Sequence, residues 1–269
     1  MSEPPIRMEQ RGHVALLTLN RPDTRNALSG EAMFAAFEQT FAELNADLNV
    51  RVAILTGAGS AFCSGGNVAE MRDRTGMFAG SPEQIAQGYR EGIQRIPRAF
   101  EALQVPIIAA VNGPAIGAGN DLACMCDLRI ASSSARFAES FVKVGIVPGD
   151  GGCWLLPRVI GHARAAEMAL TGDTIDAEEA LRVGLVSRVV APEALLDEAF
   201  RLAGRIAANP PQVLRWTRQL LQQARTGTLD EALVAAGRLQ GLAHHTADHA
   251  EAVAAFFEKR APTFTGGAA

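Results

Sequence analysis

The stretch Val111–Ile130 has the sequence VNGPAIGAGNDLACMCDLRI, and we interpret it as the segment around which the fold is organised. Its pattern predicts the end of a buried strand, a turn with glycine and proline, a short apolar helix and a second strand. Small residues at Gly117, Ala118 and Gly119 let another molecule approach the backbone closely where the helix begins. The first N–H groups of a helix have no internal partner, so this turn suits an oxygen that carries or develops negative charge.

Asp121 adds an acid to the same turn. It follows Ala118 by three residues, so the two residues share a face if the helix has already begun. An N–H donor beside a carboxylate can polarise a carbonyl group while a proton is moved. The alternative is an ordinary glycine-rich turn with an acid in the first helical turn, and these residues taken alone favour that alternative.

The composition is that of an ordinary globular protein. Among the 269 residues 48% are hydrophobic and 20% are charged, which is enough to bury a full core. The net charge of −4 gives no electrostatic reason to expect nucleic acid or an anionic membrane as a partner. The first residues, MSEPPIRMEQRG, lack the apolar core of a signal peptide, and no apolar run approaches a membrane span. We therefore expect a cytoplasmic protein.

The cysteines indicate neither a disulfide framework nor a metal site. The four cysteines are few and scattered: Cys63, Cys124, Cys126 and Cys153. Cys124 and Cys126 have the wrong spacing for a C-x-x-C pair, and no histidine or cysteine is placed to complete a ligand set. We expect buried thiols and no bound metal.

Strands and helices alternate along the chain to about residue 190, which predicts an α/β layer structure. From Pro192 onward the pattern predicts helices only. Two further glycine-rich turns occur before that point, GAGSAFCSGGNVAEM around Gly65 and Gly66 and VKVGIVPGDGG at Val142–Gly152. Neither these turns nor the first one fits a nucleotide-phosphate motif.

Six blocks of the sequence, taken together and in order, carry a specific signal. They are LNRPDTRNALS, AFCSGGNVAEM, VNGPAIGAGNDLACMCDLRIA, FVKVGIVPGDGGCWLLPRVIG, ALTGDTIDAEEALRVGLVSRVV and EAVAAFFEKRAPTF. In these blocks the chain resembles the crotonase (enoyl-CoA hydratase/isomerase) superfamily along nearly its whole length. The resemblance implies a spiral of repeated β-β-α units over residues 1–191 and an all-helical oligomerisation segment over residues 192–269. It also implies a homotrimer or a dimer of trimers, and an acyl-CoA substrate that brings coenzyme A with it, so that no separate cofactor is needed.

The resemblance assigns roles to particular residues. Two backbone N–H groups, those of Gly66 and Ala118, would hold the thioester oxygen as it becomes enolate-like. Met71 and Phe141 would line the substrate pocket. The contacts to coenzyme A would fall on Arg25, Ala27, Leu28, Asn67, Phe256 and Lys259. A solvated turn cation remains the alternative for Arg25, and plain helix packing remains the alternative for Phe256 and Lys259.

The acids are where this sequence departs from the family. Hydratases of the family use two glutamates, whose positions fall here on Asp121, a shorter acid, and on Phe141, which cannot transfer a proton. Glu139 lies two residues before Phe141 and would share its face in an extended strand, but we expect it to be a surface acid. Asp150 in PGDGG has two open interpretations, a catalytic acid or the N-cap of the following helix.

The sequence therefore predicts an acyl-CoA enzyme of the enoyl-CoA hydratase/isomerase type, with Asp121 and Asp150 moving protons. Isomerisation needs one well-placed base, so it tolerates Phe141 better than hydration does; hydration requires the two aspartates to pair around a water. The alternatives are a CoA-thioester hydrolase, lyase or dehalogenase that uses an aspartate, and a relative that binds acyl-CoA with weakened turnover. The acyl group is not determined, because pocket walls come from loops such as residues 72–83.

Overall fold

The computed structural model describes residues 3–266, which form nine strands and twelve α-helices. The strands are β1 Ile6–Arg11, β2 Val14–Leu19, β3 Val52–Gly57, β4 Ile107–Val111, β5 Ala115–Ile116, β6 Leu128–Ser132, β7 Arg136–Ala138, β8 Thr174–Asp176 and β9 Arg188–Val190. The helices are α1 Glu31–Ala46, α2 Val68–Asp73, α3 Pro82–Glu91, α4 Arg95–Ala102, α5 Ala118–Met125, α6 Gly152–Ile160, α7 His162–Thr171, α8 Ala177–Arg182, α9 Leu195–Ala207, α10 Pro211–Gln223, α11 Leu229–His244 and α12 Ala247–Glu258. No helix within these residues is both long and apolar enough to cross a membrane.

The strands form two sheets that the chain visits in turn. The larger sheet has the order β1-β2-β3-β4-β6-β9, and all its pairs are parallel except the β1–β2 hairpin. The smaller sheet has the order β5-β7-β8. A strand of the larger sheet is followed by a strand of the smaller sheet in β4–β5 and again in β6–β7, and a helix comes after each pair. This alternation is the expected spiral of β-β-α units.

Helices cover both faces of the larger sheet, which explains why its central strands are apolar throughout. On one face α1 buries Phe37 and Phe41 against Leu17 and Leu55. On the other face α9 packs its side chains against the strand residues that point away from α1. The α9 residues in this contact are Leu195, Ala199, Ala203 and Ala207. The first helix after residue 191 therefore belongs to the packing of the sheet, while the expected division of the chain at that residue stays a prediction.

Two buried arginines attach α10 to the core. Arg215 donates hydrogen bonds to the carbonyls of Asn45 (2.7 Å) and Asp47 (2.7 Å), where α1 ends. Arg218 donates to the Phe100 carbonyl near the end of α4 (3.1 Å) and pairs with Asp127. The last carbonyls of a helix have no partner within the helix, so the two guanidinium groups satisfy acceptors that would otherwise be buried unpaired.

The local predictions differ from the structure mainly at breaks. The pattern predicts a long helix from Gln84 to Leu103 that Pro97 kinks or divides. The helix is indeed divided, into α3 and α4, but the break lies at residues 92–94, before Pro97. Pro97 is the third residue of α4, where a missing N–H costs no helical hydrogen bond. The sequence analysis did not predict β1, because five of its six residues are exposed and show no alternation of apolar and polar residues.

Candidate active site

Two glycine turns lie side by side and form the floor of the site. The N–H of Cys63 donates to the Pro114 carbonyl (3.1 Å), and the N–H of Ile116 donates to the Cys63 carbonyl (3.0 Å). Gly119 packs against the backbone of the other turn: a Cβ at residue 119 would lie 2.1 Å from the Cys63 carbonyl oxygen. A Cβ on Gly65 would lie 2.4 Å from the Ile116 carbonyl oxygen. Only glycine, which has no Cβ, permits the two backbones to approach this closely.

The close approach brings two unpaired N–H groups together. Ala118 is the first residue of α5. The Gly117 carbonyl accepts hydrogen bonds from the N–H groups of Asn120 and Asp121 and none from Ala118. Within residues 3–266, the N–H groups of Ala118 and Gly66 donate no hydrogen bond. The Ala118 nitrogen lies 3.2 Å from where a Cβ of Gly65 would be. Adjacent donors of this kind can bind a single oxygen and stabilise negative charge on it.

Three carboxyl groups form a buried group, and two of them, those of Asp121 and Glu139, lie against the backbone of Gly152. The three belong to Asp121 on α5, Glu139 after β7 and Asp150 before α6, and each residue is at most 2% exposed. A Cβ on Gly152 would lie 2.2 Å from Glu139 Oε1 and 2.5 Å from Asp121 Oδ1, so glycine is required here too. Asp121 lies within hydrogen-bonding reach of both other carboxyls.

The carboxyl cluster, as we call Asp121, Glu139 and Asp150, lacks compensating donors. Asn120 Nδ2 donates to Glu139 Oε2 (3.0 Å), whereas no group among residues 3–266 other than a carboxyl proton is placed to donate to the other five oxygens. None of the ion pairs among residues 3–266 includes a member of the cluster. The cluster is not arranged as a metal site, because no set of three ligand side chains suited to a metal occurs in that part of the chain.

Burial and mutual repulsion raise the pKa values of the three acids, and not all to the same extent. Burial, and then the charges of Asp150 and Glu139, hold the pKa of Asp121 well above its usual range. Burial raises the pKa of Glu139 to about 7, against the Asn120 hydrogen bond that favours its ionised form. Burial also raises the pKa of Asp150, while a hydrogen bond from Asp121 works in the opposite direction. Asp121 therefore keeps its proton to a higher pH than an ordinary aspartate does, and that proton lies within reach of either neighbour.

Two cavities meet beside the cluster. The larger, of about 1000 Å³, is mainly apolar and is lined in part by Met71, Phe78, Ile85, Tyr89, Ile146 and Val147. The second, of about 760 Å³, is lined by Asp150 together with Phe100, Met125, Trp154 and Leu155. They share Gln94, whose Nε2 donates to the Gly149 carbonyl (2.8 Å). Asp150 is thus the member of the cluster that lines the second cavity, although all three acids are buried.

Two expectations about the acids are wrong. Glu139 is not a surface acid: it follows β7 on the same face as Phe137, which is fully buried, and the side chain turns into the cluster. The N-cap interpretation of Asp150 also fails, because Gly151 is the N-cap of α6 and no side chain caps that helix. The Phe141 ring packs near Gly117, 3.7 Å from where a Cβ of that glycine would be.

Four of the six residues expected to contact coenzyme A lie around the Gly66 turn. Leu28 N–H donates to the Gly65 carbonyl (2.8 Å), and Ser64 N–H donates to the Arg25 carbonyl (2.9 Å). Ala27 and Leu28 are buried, Arg25 is exposed, and Asn67 is the N-cap of α2. At the pocket side, Met71 Cε lies 3.0 Å from where a Cβ of Gly66 would be.

The other two residues are remote from this turn in the chain's own contacts. Phe256 is 79% exposed and its ring meets that of Phe257, which is 77% exposed. Lys259 ends α12 with a left-handed backbone conformation. Neither residue forms a hydrogen bond or ring contact with the Gly66 turn among the described residues. Their expected contact with coenzyme A stays a prediction.

The sequence analysis missed the roles of Asn120, Glu139 and Gly152 in the cluster. One signal for Glu139 was available, since it follows the apolar residue Phe137 by two positions, a spacing that keeps the same face in an extended chain. No comparable signal existed for Gly152, because its proximity to Asp121 and Glu139 comes from packing between distant segments.

Comparison with known proteins agrees with the fold. Residues 9–267 match the profile of the enoyl-CoA hydratase/isomerase family. The chain is 40% identical to the 1,2-epoxyphenylacetyl-CoA isomerase of Escherichia coli, covering 94% of this chain and 95% of the relative. It is 40% identical to the (E)-benzylidenesuccinyl-CoA hydratase of Thauera aromatica, covering 97% and 99%. The crystal structure of an enoyl-CoA hydratase from Bacillus anthracis superposes with a TM-score of 0.90 at 35% identity, covering 97% and 99%. The fold expected from the six sequence blocks is confirmed.

The contact between Gly119 and Cys63 yields a prediction about stability. In Gly119→Ala the new methyl group would lie 2.1 Å from a backbone oxygen, so α5 must move away. We expect the free energy of unfolding to fall by about 1–3 kcal/mol, as for other overpacked cores. Gly237→Ala in α11 is the matched control, because a Cβ there meets no atom within 4 Å and alanine favours a helix. Urea unfolding of both variants tests this, and equal stability of Gly119→Ala and wild type would contradict the close contact.

Proposed function

The chain belongs to the enoyl-CoA hydratase/isomerase family and is an acyl-CoA enzyme of that type; we propose that it isomerises the double bond of an enoyl-CoA thioester through an enolate. The proposal rests on the proximity of two N–H groups that have no hydrogen-bond partner, those of Gly66 and Ala118. The same fold holds the carboxyl cluster. Oxygen stabilisation and proton transfer are the two requirements of enolate chemistry.

The thioester oxygen would bind between the N–H groups of Gly66 and Ala118. As a proton leaves the carbon next to the carbonyl, negative charge moves onto this oxygen. Both donors are backbone groups fixed by the paired turns, so they need little reorganisation when the charge develops. The start of α5 adds the favourable end of a helix dipole at Ala118. Removing one donor of this kind typically costs about 100- to 1000-fold in rate.

Asp150 is the proposed base. It lines a cavity, whereas Asp121 and Glu139 are enclosed behind it. Asp150 would take the substrate proton and return it to another carbon, and protonated Asp121 would hold the carboxylate in place by a hydrogen bond. One base serves both transfers, so the absence of an acid at Phe141 does not prevent the reaction.

Hydration is the second candidate, and it is favoured by the names of several relatives. The relatives from Thauera aromatica and Clostridium acetobutylicum are named as hydratases. A hydratase must hold a water between its acids and the double bond. In this chain Asp121 is fully enclosed and lines neither cavity, so Asp150 is the one of the two that could approach a water in the pocket. This enclosure is why we place isomerisation first.

The substrate would lie across the two turns. The nucleotide end of coenzyme A would be held by residues around the Gly66 turn and by the end of α12 of a neighbouring subunit: Arg25, Ala27, Leu28, Asn67, Phe256 and Lys259. The acyl group would enter the larger cavity past Met71, whose walls include Arg74, Phe78 and Gly80 from the loop over residues 72–83. Coenzyme A comes with the substrate, so the proposed reaction needs no further cofactor.

The role of the two aspartates can be tested by substitution. We expect Asp121→Asn and Asp150→Asn each to lower turnover, by about 100- to 10,000-fold for a group that transfers a proton. Binding of the CoA ester should stay nearly unchanged, and Asp150→Asn should melt no lower than wild type, since an amide replaces a buried acid. Asp230→Asn on exposed α11 is the matched control.

Turnover should be measured by mass spectrometry of a panel of CoA thioesters incubated in deuterated water, with binding measured by calorimetry. This readout separates isomerisation, hydration, hydrolysis and elimination. Full activity in both variants would refute the proposed site. A wild-type protein that binds esters and turns over none of them would be an acyl-CoA-binding relative, and hydrolysis as the main reaction would support the thioesterase alternative.

The oxyanion role predicts the effect of Ala118→Pro. Proline lacks the N–H that we propose as a donor, and Ala118 is the first residue of α5, a position that tolerates proline. We expect turnover to fall by about 100- to 1000-fold while the fold is retained. Ala247→Pro at the first residue of α12 is the control, because it makes the same change on an exposed helix. Wild-type turnover in a folded Ala118→Pro protein would rule out the role of this N–H.

We also propose a homotrimer or a dimer of trimers. The C-terminal helices leave large apolar side chains in solvent: Leu221, Leu229, Leu233, Val234, Phe256 and Phe257. A single chain therefore exposes apolar area that an interface between subunits would bury. Light scattering should give three or six times the mass of 28.4 kDa. Phe256→Ser with Phe257→Ser should weaken the assembly, and a wild-type monomer would contradict the proposal.

A further inference from the structure

We propose that Glu139 is a positioning residue that controls the base Asp150 through Asp121. When Glu139 is ionised it accepts the hydrogen bond of protonated Asp121; when Glu139 is protonated, that hydrogen bond goes to Asp150. The inference rests on the proposed function, in which Asp150 takes the substrate proton. It deepens that function, because it makes the strength of the base depend on a residue that does not touch the substrate.

The order of the three carboxyl groups supports this control. Asp121 lies in the middle, within hydrogen-bonding reach of Glu139 on one side and Asp150 on the other. Glu139 Oε1 and both Asp121 oxygens surround Gly152, within 2.7 Å of where its Cβ would be. Asp150 alone of the three lines the cavity. A single carboxyl proton on Asp121 can be donated to only one of its two neighbours at a time.

The surroundings of the cluster provide no other charge that could perform this role. Three further titratable groups face it, from α5, from the Gly65 turn and from α3, and burial raises the pKa of each: Cys124 (to about 12), Cys63 (to about 12) and Tyr89. These groups are therefore neutral at physiological pH. Asn120 donates to Glu139 and cannot change its charge. The charge of the cluster thus changes only with its own protons.

Glu139 is suited to switch near neutral pH, because its pKa is raised to about 7. Below that pH Glu139 is protonated, Asp121 donates to Asp150, and the hydrogen bond makes the Asp150 carboxylate a weaker base. Above it Asp121 donates to Glu139, and Asp150 becomes more basic. The rate of proton abstraction should therefore rise with pH through about 7. One unit in the pKa of a base changes the rate by at most about tenfold.

The proton balance of the reaction does not involve Glu139. A substrate C–H bond breaks as the Asp150 O–H bond forms, and the electron pair passes into the enolate. The proton then returns from Asp150 to another substrate carbon. The Asp121 proton keeps its O–H bond and only changes its acceptor. Glu139 gains or loses its own proton in exchange with solvent, so no oxidant, reductant or second reactant is needed.

The test is the pH profile of turnover in Glu139→Gln. The neutral amide can donate to Asp121, which then donates to Asp150 at every pH. We expect the rise in kcat near pH 7 to disappear and the rate at high pH to fall by up to about tenfold, with unchanged binding of the CoA ester. Glu193→Gln at an exposed position is the matched control and should keep the wild-type profile.

Asn120→Ala provides a second variant if Glu139→Gln does not fold. Loss of the 3.0 Å hydrogen bond removes a group that favours ionised Glu139, so the rise in kcat should move to higher pH without losing its amplitude. Carbon NMR of the labelled Glu139 carboxyl in wild type should show titration near pH 7 without any substrate. An unchanged pH profile in Glu139→Gln, or titration of Glu139 in the ordinary range of glutamate, would overturn the inference while leaving the proposed function intact. Absence of wild-type turnover would instead refute the function.

Discussion

The contact between Gly119 and the Cys63 carbonyl oxygen is the constraint on which the rest of the site depends. A single methyl group at residue 119 would approach that oxygen to 2.1 Å, so the two turns can be this close only without a side chain. The contact fixes the start of α5 beside the Gly65 turn, and so it holds the unpaired N–H of Ala118 close to the turn that carries the unpaired N–H of Gly66. Because α5 also carries Asp121, the same contact sets the position of the carboxyl cluster. The positions of the N–H donors and of the acids therefore both depend on this one backbone contact.

The carboxyl cluster is costly to the folded protein. Three enclosed acids without a cation cannot all be ionised, since buried charge without a partner is strongly unfavourable. The folded state therefore binds protons that the unfolded chain releases. For Glu139, whose pKa rises from 4.5 to about 7 on folding, stability falls as pH increases between these values. A structural core would replace such acids with apolar residues, so their burial beside a cavity is typical of a functional site.

The proposed chemistry does without an acid at Phe141, the residue on which the resemblance places the family's second acid. The Phe141 ring packs near Gly117. Glu139 enters the site from two residues earlier, directly after β7, where Phe137, Ala138 and Glu139 are all buried. The Glu139 carboxyl group lies next to Asp121 and does not line the cavity. In the proposed chemistry the acid that reaches the cavity is Asp150, from a third segment of the chain.

The sequence by itself determined the family, the spiral of β-β-α units, the three glycine turns and the presence of acids at Asp121 and Asp150. The glycine turns follow from local patterns, namely the period of apolar residues and the need for small residues in tight turns. The family and its spiral of β-β-α units follow from the resemblance carried by the six sequence blocks. Only the tertiary structure decided that Glu139 is buried and that Asp150 does not cap α6. The burial of Gly152 against Glu139 and Asp121 depends on packing between segments that are distant in the chain. The break between α3 and α4 likewise depends on how residues 92–94 pack, since Pro97 is compatible with the helix that contains it. Contacts between distant segments leave no periodic signal, so the arrangement of the acids could be determined only from the folded chain.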